Sequence, residues 1–144
     1  MAAEFVLDLV APAGVCLLLD QWSKHIVQAR VADRRISCGV ILQICRVAHV
    51  EQVYKRPMAR LALVPTWFAA LTGVIFLYRS GAWFHGPLSR FGPGIALGGA
   101  AGNLWDILRR RYILDFLDLR WWPVFNFADV AIVGGLIVAF WPHA

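Results

Sequence analysis

The run FVLDLVAPAGVCLLLDQW, residues 5 to 22, is almost wholly apolar and then breaks into the polar string DQWSK, residues 20 to 24. How this run is read decides the fold. A hydrocarbon core of ~30 Å takes ~20 helical residues to cross, and the run is close to that length. It has no basic start, carries Glu4 and Asp8 at its near end and is followed by no small-residue cleavage site. It is therefore expected to stay as a membrane span rather than be removed as a leader.

Three more apolar segments follow, from Leu61 to Tyr78, from about Leu88 to Trp105 and from Phe125 to Trp141. With 60% hydrophobic and 16% charged residues in 144, the composition is that of an integral membrane protein rather than a soluble domain. The chain is too short for two ordinary domains, so residues 1 to 144 are expected to form one all-α membrane unit, a bundle of four transmembrane helices. Four spans put both ends of the chain on one side. They gather the charged connections, residues 23 to 60 and 106 to 124, on the other.

Within the first of these connections, residues 36 to 54 are rich in β-branched and apolar side chains with partial alternation. They predict a small antiparallel β-sheet at the membrane surface, between the first two helices. Gly94, Gly98 and Gly102 recur every four residues in the third span, a spacing that lets a neighbouring helix approach closely. Cys16, Cys38 and Cys45 show no metal-ligand spacing, and the four histidines are scattered, so neither a metal nor a cofactor is expected. Cys38 and Cys45, seven apart on one strand, would face opposite ways and stay as thiols.

Ionisable groups at the edge of a span cost several kcal/mol unless they face an interior and have partners. Here they cluster. Asp20 and Lys24 are four apart on one helical face, placed to pair with each other or with a third group. Asn103 and Asp106 are three apart at the end of the third span, and Asn126 and Asp129 repeat that spacing at the start of the fourth. Asp115 and Asp118 lie in YILDFLDL between them. All fall at one predicted membrane level. A single interfacial Asp is more often a helix cap or the partner of an arginine. Several Asp and Asn residues on one rim point instead to a site, in which two converging carboxylates share a proton and can activate water.

The strings DQWSK (20 to 24), GGAAGNLWD (98 to 106), YILDFLDL (112 to 119) and VFNFADVAI (124 to 132) resemble, in order and spacing, those of the lipoprotein signal peptidases, or signal peptidase II. Each string alone is weak; the four together cover nearly the whole chain. The resemblance implies an aspartic endopeptidase that removes the signal peptide from diacylglyceryl-modified prolipoproteins. It implies a multi-pass protein of the bacterial inner membrane with its active site and small sheet on the periplasmic face. The catalytic pair would be Asp115 and Asp129, with Asp106 as the alternative partner for Asp129. Asp20, Lys24, Asn103, Asp106 and Asn126 would support the site or bind substrate. The partners implied are prolipoproteins and membrane lipids, with no nucleic acid and with a monomeric enzyme.

The chain departs from the family pattern in several places. The arginine after GNxxD is here Ile107, leaving Arg109, Arg110 or Arg111 to replace it one turn on. Lys55 and Pro57 stand where the family has Asn and Gly in NxGxAF. These departures leave open a second function, a non-catalytic relative that binds lipoprotein precursors or a peptide antibiotic. A small proton-relay carrier is disfavoured by the surface strands and the lack of inverted repeats. Of the 14 Lys and Arg residues, only Arg79 and Arg90 lie on the side of the chain ends. The positive-inside rule alone would place the carboxylates in the cytoplasm; the resemblance places them in the periplasm, where a basic rim can meet anionic headgroups. Trp22, Trp105, Trp121 and Trp122 are expected at that interface as anchors.

Overall fold

A computed structural model describes residues 2–31, 36–37, 42–48, 57–81, 83–84, 86 and 88–141. The helical segments Ala2–Phe5, Val6–Val10 and Ala11–Arg30 follow without a break and form one helix, α1, whose Val6–Val10 turn is π-helical. Helix α2 spans Pro57–Ser80, α3 Phe91–Arg109 and α4 Phe127–Ala139. Three short strands complete the described structure: β1, Ile36–Ser37; β2, Gln43–Ala48; and β3, Leu114–Asp118.

Helix α3 is the axis of the molecule because its glycines open two faces at once. A Cβ on Gly94 would lie 2.6 Å from the Leu9 carbonyl oxygen, and one on Gly102 would lie 2.6 Å from the Asp20 carboxylate. Gly98, between them, meets the Ala13 backbone. The expected every-fourth stripe is thus the seam to α1, and the rising order of contacts makes the two helices run in the same direction. On its other face Gly92 meets Ala139 and Gly99 meets Ala128. Helix α4 answers with Gly135, where a Cβ would lie 2.5 Å from the Ala96 nitrogen, so α4 runs antiparallel to α3.

The outer faces are apolar. Leu18 is 70% exposed and Phe76 72% exposed, an arrangement that water would penalise and lipid does not. Among the described residues, Val6–Arg30 is long and apolar enough to cross a membrane by length and composition, and Phe127–Ala139 is a shorter apolar helix. At ~1.5 Å per residue the latter is only about 20 Å long, so the apolar run of residues 125 to 141 is not helical throughout: Asn126 caps it and Phe140 ends it. Helix α1 instead overshoots its expected end at Trp22 by two turns. Its extra length carries Val27 and Val31, which are buried with Phe116 beneath the sheet.

The sheet has the order β1-β2-β3, all antiparallel. Part of the expected 36 to 54 region is strand, while residues 38–41 and 49–54 lie outside the described residues. Cys45 is buried; Cys38, on which the thiol expectation also depends, lies outside them. The third strand comes from a segment that periodicity left unassigned. Between the pairs Ile44↔Leu117 and Val47↔Asp115, β2 contains one more residue than β3. Such a bulge bends a strand and re-aims the side chains beside it. Hydrogen bonds between Leu117 and Phe125, at 2.8 and 3.0 Å, then close the loop after β3 and deliver the chain to α4.

Candidate active site

At the end of the bundle that carries the sheet, the interior is polar. Lys24, Asn126, Asp20 and Asp106 are among the largest fully buried side chains of the described structure. The Lys24 ammonium donates to Asp20 Oδ2 at 2.8 Å, lies 2.8 Å from Asp106 Oδ2 and reaches Asn103 Oδ1 at 3.2 Å. Three acceptors match its three hydrogens. Arg110, one turn beyond Asp106, pairs with the other oxygen of that carboxylate. Two acids and two cations thus balance, the condition under which buried charges are tolerated.

The cluster also grips the backbone. Asp20 Oδ1 accepts from the Ala128 N–H at 3.0 Å and so holds the first turn of α4. Asp106 Oδ2 accepts from the Leu114 N–H at 3.3 Å and so holds the start of β3. Gln21 Nε2 lies between the acids, 3.0 Å from Asp20 and 3.2 Å from both Asp106 and the Gly102 carbonyl. The two elements tied down in this way are the ones that bear Asp129 and Asp115.

Beside this cluster sits a second set of polar residues, centred on Asn126. Its Nδ2 donates to Asp115 Oδ1 at 2.6 Å and to Asn103 Oδ1 at 3.1 Å. Its backbone N–H donates to Asp129 Oδ2 at 3.0 Å, while its Oδ1 accepts from the Asp129 N–H at 3.1 Å. This is a reciprocal capping box at the start of α4, and its geometry explains the Asn/Asp spacing of three. Asn103 Nδ2 donates to Asp129 Oδ1 at 2.9 Å. Asp115 and Asp129 are therefore bridged by one asparagine and steadied by another, and Asn103 connects them to Lys24.

The structure brings together Asp20, Lys24, Asn103, Asp106, Asp115, Asn126 and Asp129, and it separates their surroundings. Asp106 is wholly buried with both oxygens engaged by Lys24, Arg110, Gln21 and Leu114. Asp129 is only partly buried. Asp118 stands apart: its Oδ1 accepts from the Arg120 N–H at 2.7 Å and shapes the turn after β3. Among the three arginines after Ile107, Arg110 takes the place at Asp106. Arg109 lies 6.0 Å from the Trp105 ring, and Arg111, with φ of 66°, closes α3 in the left-handed region. Lys55 lies outside the described residues. Gln21 was not singled out from the sequence, although its place inside DQWSK was a signal that a polar side chain faces the bundle.

Fold and site together define a small helical membrane protein with hydrogen-bonded carboxylates gathered at one rim, the equipment for acid–base hydrolysis. The family described as Signal peptidase (SPase) II matches residues 13–143. The chain is 60% identical to the lipoprotein signal peptidase of Moorella thermoacetica, over 90% of this chain and 87% of that protein. It is 35% identical to the lipoprotein signal peptidase of Pelotomaculum thermopropionicum, over 89% of this chain and 86% of that one. Its fold is similar to a bacterial membrane enzyme solved by the in meso method at 1.9 Å, with a TM-score of 0.78 and 18% identity, covering 90% of this chain and 87% of that chain. The chain belongs to the signal peptidase II family.

Proposed function

We infer that the chain removes signal peptides from prolipoproteins, the reaction of its family, and that Asp115 and Asp129 are the catalytic pair. One observation carries the choice of pair. Asn126 reaches both of these carboxylates, the buried Asp115 and the partly buried Asp129, whereas Asp106 is wholly buried and closed in by four donors. A carboxylate already accepting from Lys24, Arg110, Gln21 and Leu114 has no capacity left to take a proton from water. The bland alternatives also find their place: Asp106 is the arginine partner, and Asp129 doubles as a helix cap.

In this reading the pair holds one shared proton. The ionised member takes a proton from water as it attacks the scissile carbonyl, and the protonated member donates towards the carbonyl oxygen or the leaving nitrogen. The pair titrates as a unit, so neither role belongs to one residue. The amides of Asn103 and Asn126 keep both carboxyls oriented. The substrate would be a diacylglyceryl-modified prolipoprotein entering sideways from the bilayer, with the sheet lying over its peptide.

The apolar outer faces of α1 to α4 support a four-span arrangement in the bacterial inner membrane. The carboxylate end would face the periplasm, and the enzyme would act as a monomer. A periplasm-dependent reporter enzyme fused to the C-terminus should be inactive; activity there would reverse the topology. The reaction is tested by incubating the purified protein with a diacylglyceryl prolipoprotein and following the mobility shift on a gel. Cleavage is expected from the parent and absent from Asp115→Asn and Asp129→Asn. Activity that survived Asp115→Asn but not Asp106→Asn would move the pair to Asp106 and Asp129.

A further inference from the structure

The end of the bundle opposite the carboxylates contains a cavity of about 770 Å3 between the start of α1, the end of α2 and the loop leading to α3. None of the residues of the candidate active site lines it. Arg79 and Arg90 do, together with Glu4, and its wall is aromatic: Phe5, Tyr78, Trp83 and Phe84. Among the described residues these two arginines are the cations at this end, and the fold directs both to one cavity.

Two local features shape that cavity at some cost. Phe84 is 8% exposed and has φ of 62°. A bulky residue seldom adopts this left-handed conformation unless its surroundings impose it, and such strain gathers at ligand sites. Its ring and that of Trp83 each lie 6.0 Å from the Phe140 ring, which holds the loop against α4. Across the cavity, α1 carries its π-helical turn, Val6–Val10, and Val6 is part of the lining. Turns of this kind are frequent at functional sites. Here the turn includes the buried Asp8, whose Oδ2 accepts from the Tyr78 hydroxyl at 2.6 Å, fixing a wall residue.

An apolar groove of about 590 Å3 starts at Leu7, the residue after Val6, and takes Leu88 and Phe91 from either side of Arg90. It is lined by Leu7, Ala11, Val15, Leu88, Phe91 and Ile95. An arginine pair in an aromatic-walled cavity at a membrane rim, beside an apolar groove running towards the bilayer centre, matches one kind of molecule. Guanidinium groups bind phosphate through paired hydrogen bonds, aromatic rings sit at headgroup depth, and the groove takes hydrocarbon. We propose that this end is a phospholipid-binding site, with the headgroup phosphate on Arg79 and Arg90 and an acyl chain in the neighbouring groove. The occupant is a membrane phospholipid, not the peptide substrate.

Native mass spectrometry of the full-length protein released from detergent tests this. The probes are dioleoylphosphatidylglycerol, dioleoylglycerol, which has the same chains without phosphate, and glycerol phosphate, which has no chains. Retention of the phosphatidylglycerol alone is expected. It should weaken about tenfold or more in Arg79→Gln/Arg90→Gln, with Arg30→Gln, at the other end, unchanged. Glu4→Gln, on an exposed position that does not threaten folding, should raise retention by removing a negative charge from the lining. Equal retention of dioleoylglycerol, equal affinity for glycerol phosphate, or an unchanged double variant would overturn the proposal. So would displacement of bound lipid by an acidic amphipathic peptide, which would assign the cavity to peptide instead.

Discussion

Two groups of carboxylates lie side by side at one end of this protein in different surroundings. Around Lys24, Asp20 and Asp106 are sealed from solvent, and their oxygens accept from Lys24, Arg110, Gln21 and the N–H groups of Ala128 and Leu114. Around Asn126, Asp115 and Asp129 accept from the amides of Asn126 and Asn103, Asp115 being buried and Asp129 only partly so. Charge compensation makes the first group a fastener, and the proposed reaction assigns proton exchange to the second. In that proposal the same side-chain chemistry takes two roles, according to what surrounds it.

The sharpest test of this contrast is to neutralise one member of each group. Asp129→Asn should lower prolipoprotein cleavage by about 10²- to 10⁴-fold, the usual worth of a positioned acid–base group. Its thermal midpoint in detergent should stay near the parent's, because an amide keeps the Asn126 cap. A variant that lost stability instead of rate would place Asp129 with the fasteners. Lys24→Met should do the reverse, leaving two buried acids short of a cation and costing about 3–5 kcal/mol of stability, read as a fall in thermal midpoint. If it unfolded no more readily than the parent, the cluster would not be holding the end of the bundle together. Adding Asp106→Asn to Lys24→Met should recover part of the loss.

A smaller effect is expected at Arg110, whose side chain is 19% exposed while Asp106 is wholly buried. Arg110→Gln should destabilise by about 1–3 kcal/mol, since Lys24 still compensates Asp106, and Arg110→Lys should recover only part because it cannot present the same fork. Equal midpoints for the parent and Arg110→Gln would show that Ile107 left the family's arginine unreplaced. The mildest contrast lies in the glycines. Gly98→Ala forces a methyl into the Ala13 backbone and should cost about 1–3 kcal/mol, whereas Gly134, with nothing near its would-be Cβ, should accept Ala without loss. Equal tolerance at both would break the assignment of the every-fourth stripe as the seam between α1 and α3.

Much of this was legible in the chain itself. The apolar runs, the polar residues at their ends and the glycine stripe all follow from local spacing, because residues three or four apart share a helical face whatever else the protein does. Asp20 with Lys24 and Asn126 with Asp129 were visible on that ground. The motif strings, taken in order, pointed to the family. Helix ends were less legible. Apolar character marks where a helix could sit in lipid, but the last two turns of α1 are kept by Val27 and Val31 packing under Phe116, a contact between segments distant in sequence.

The sequence alone determined that this is a membrane chain of the signal peptidase II pattern, with its acids gathered at one level, since hydropathy and short spacing are properties of neighbouring residues. Only the tertiary structure separated Asp106 from Asp115 and chose Arg110 from three consecutive arginines. It alone recruited Leu114–Asp118 as a third strand and brought Arg79 and Arg90 to one cavity. Each of those outcomes depends on which distant segment fills a carboxylate's or a strand's remaining hydrogen-bonding positions. That is decided by packing in three dimensions, where α3's two glycine faces bring α1 and α4 within reach of each other's polar ends.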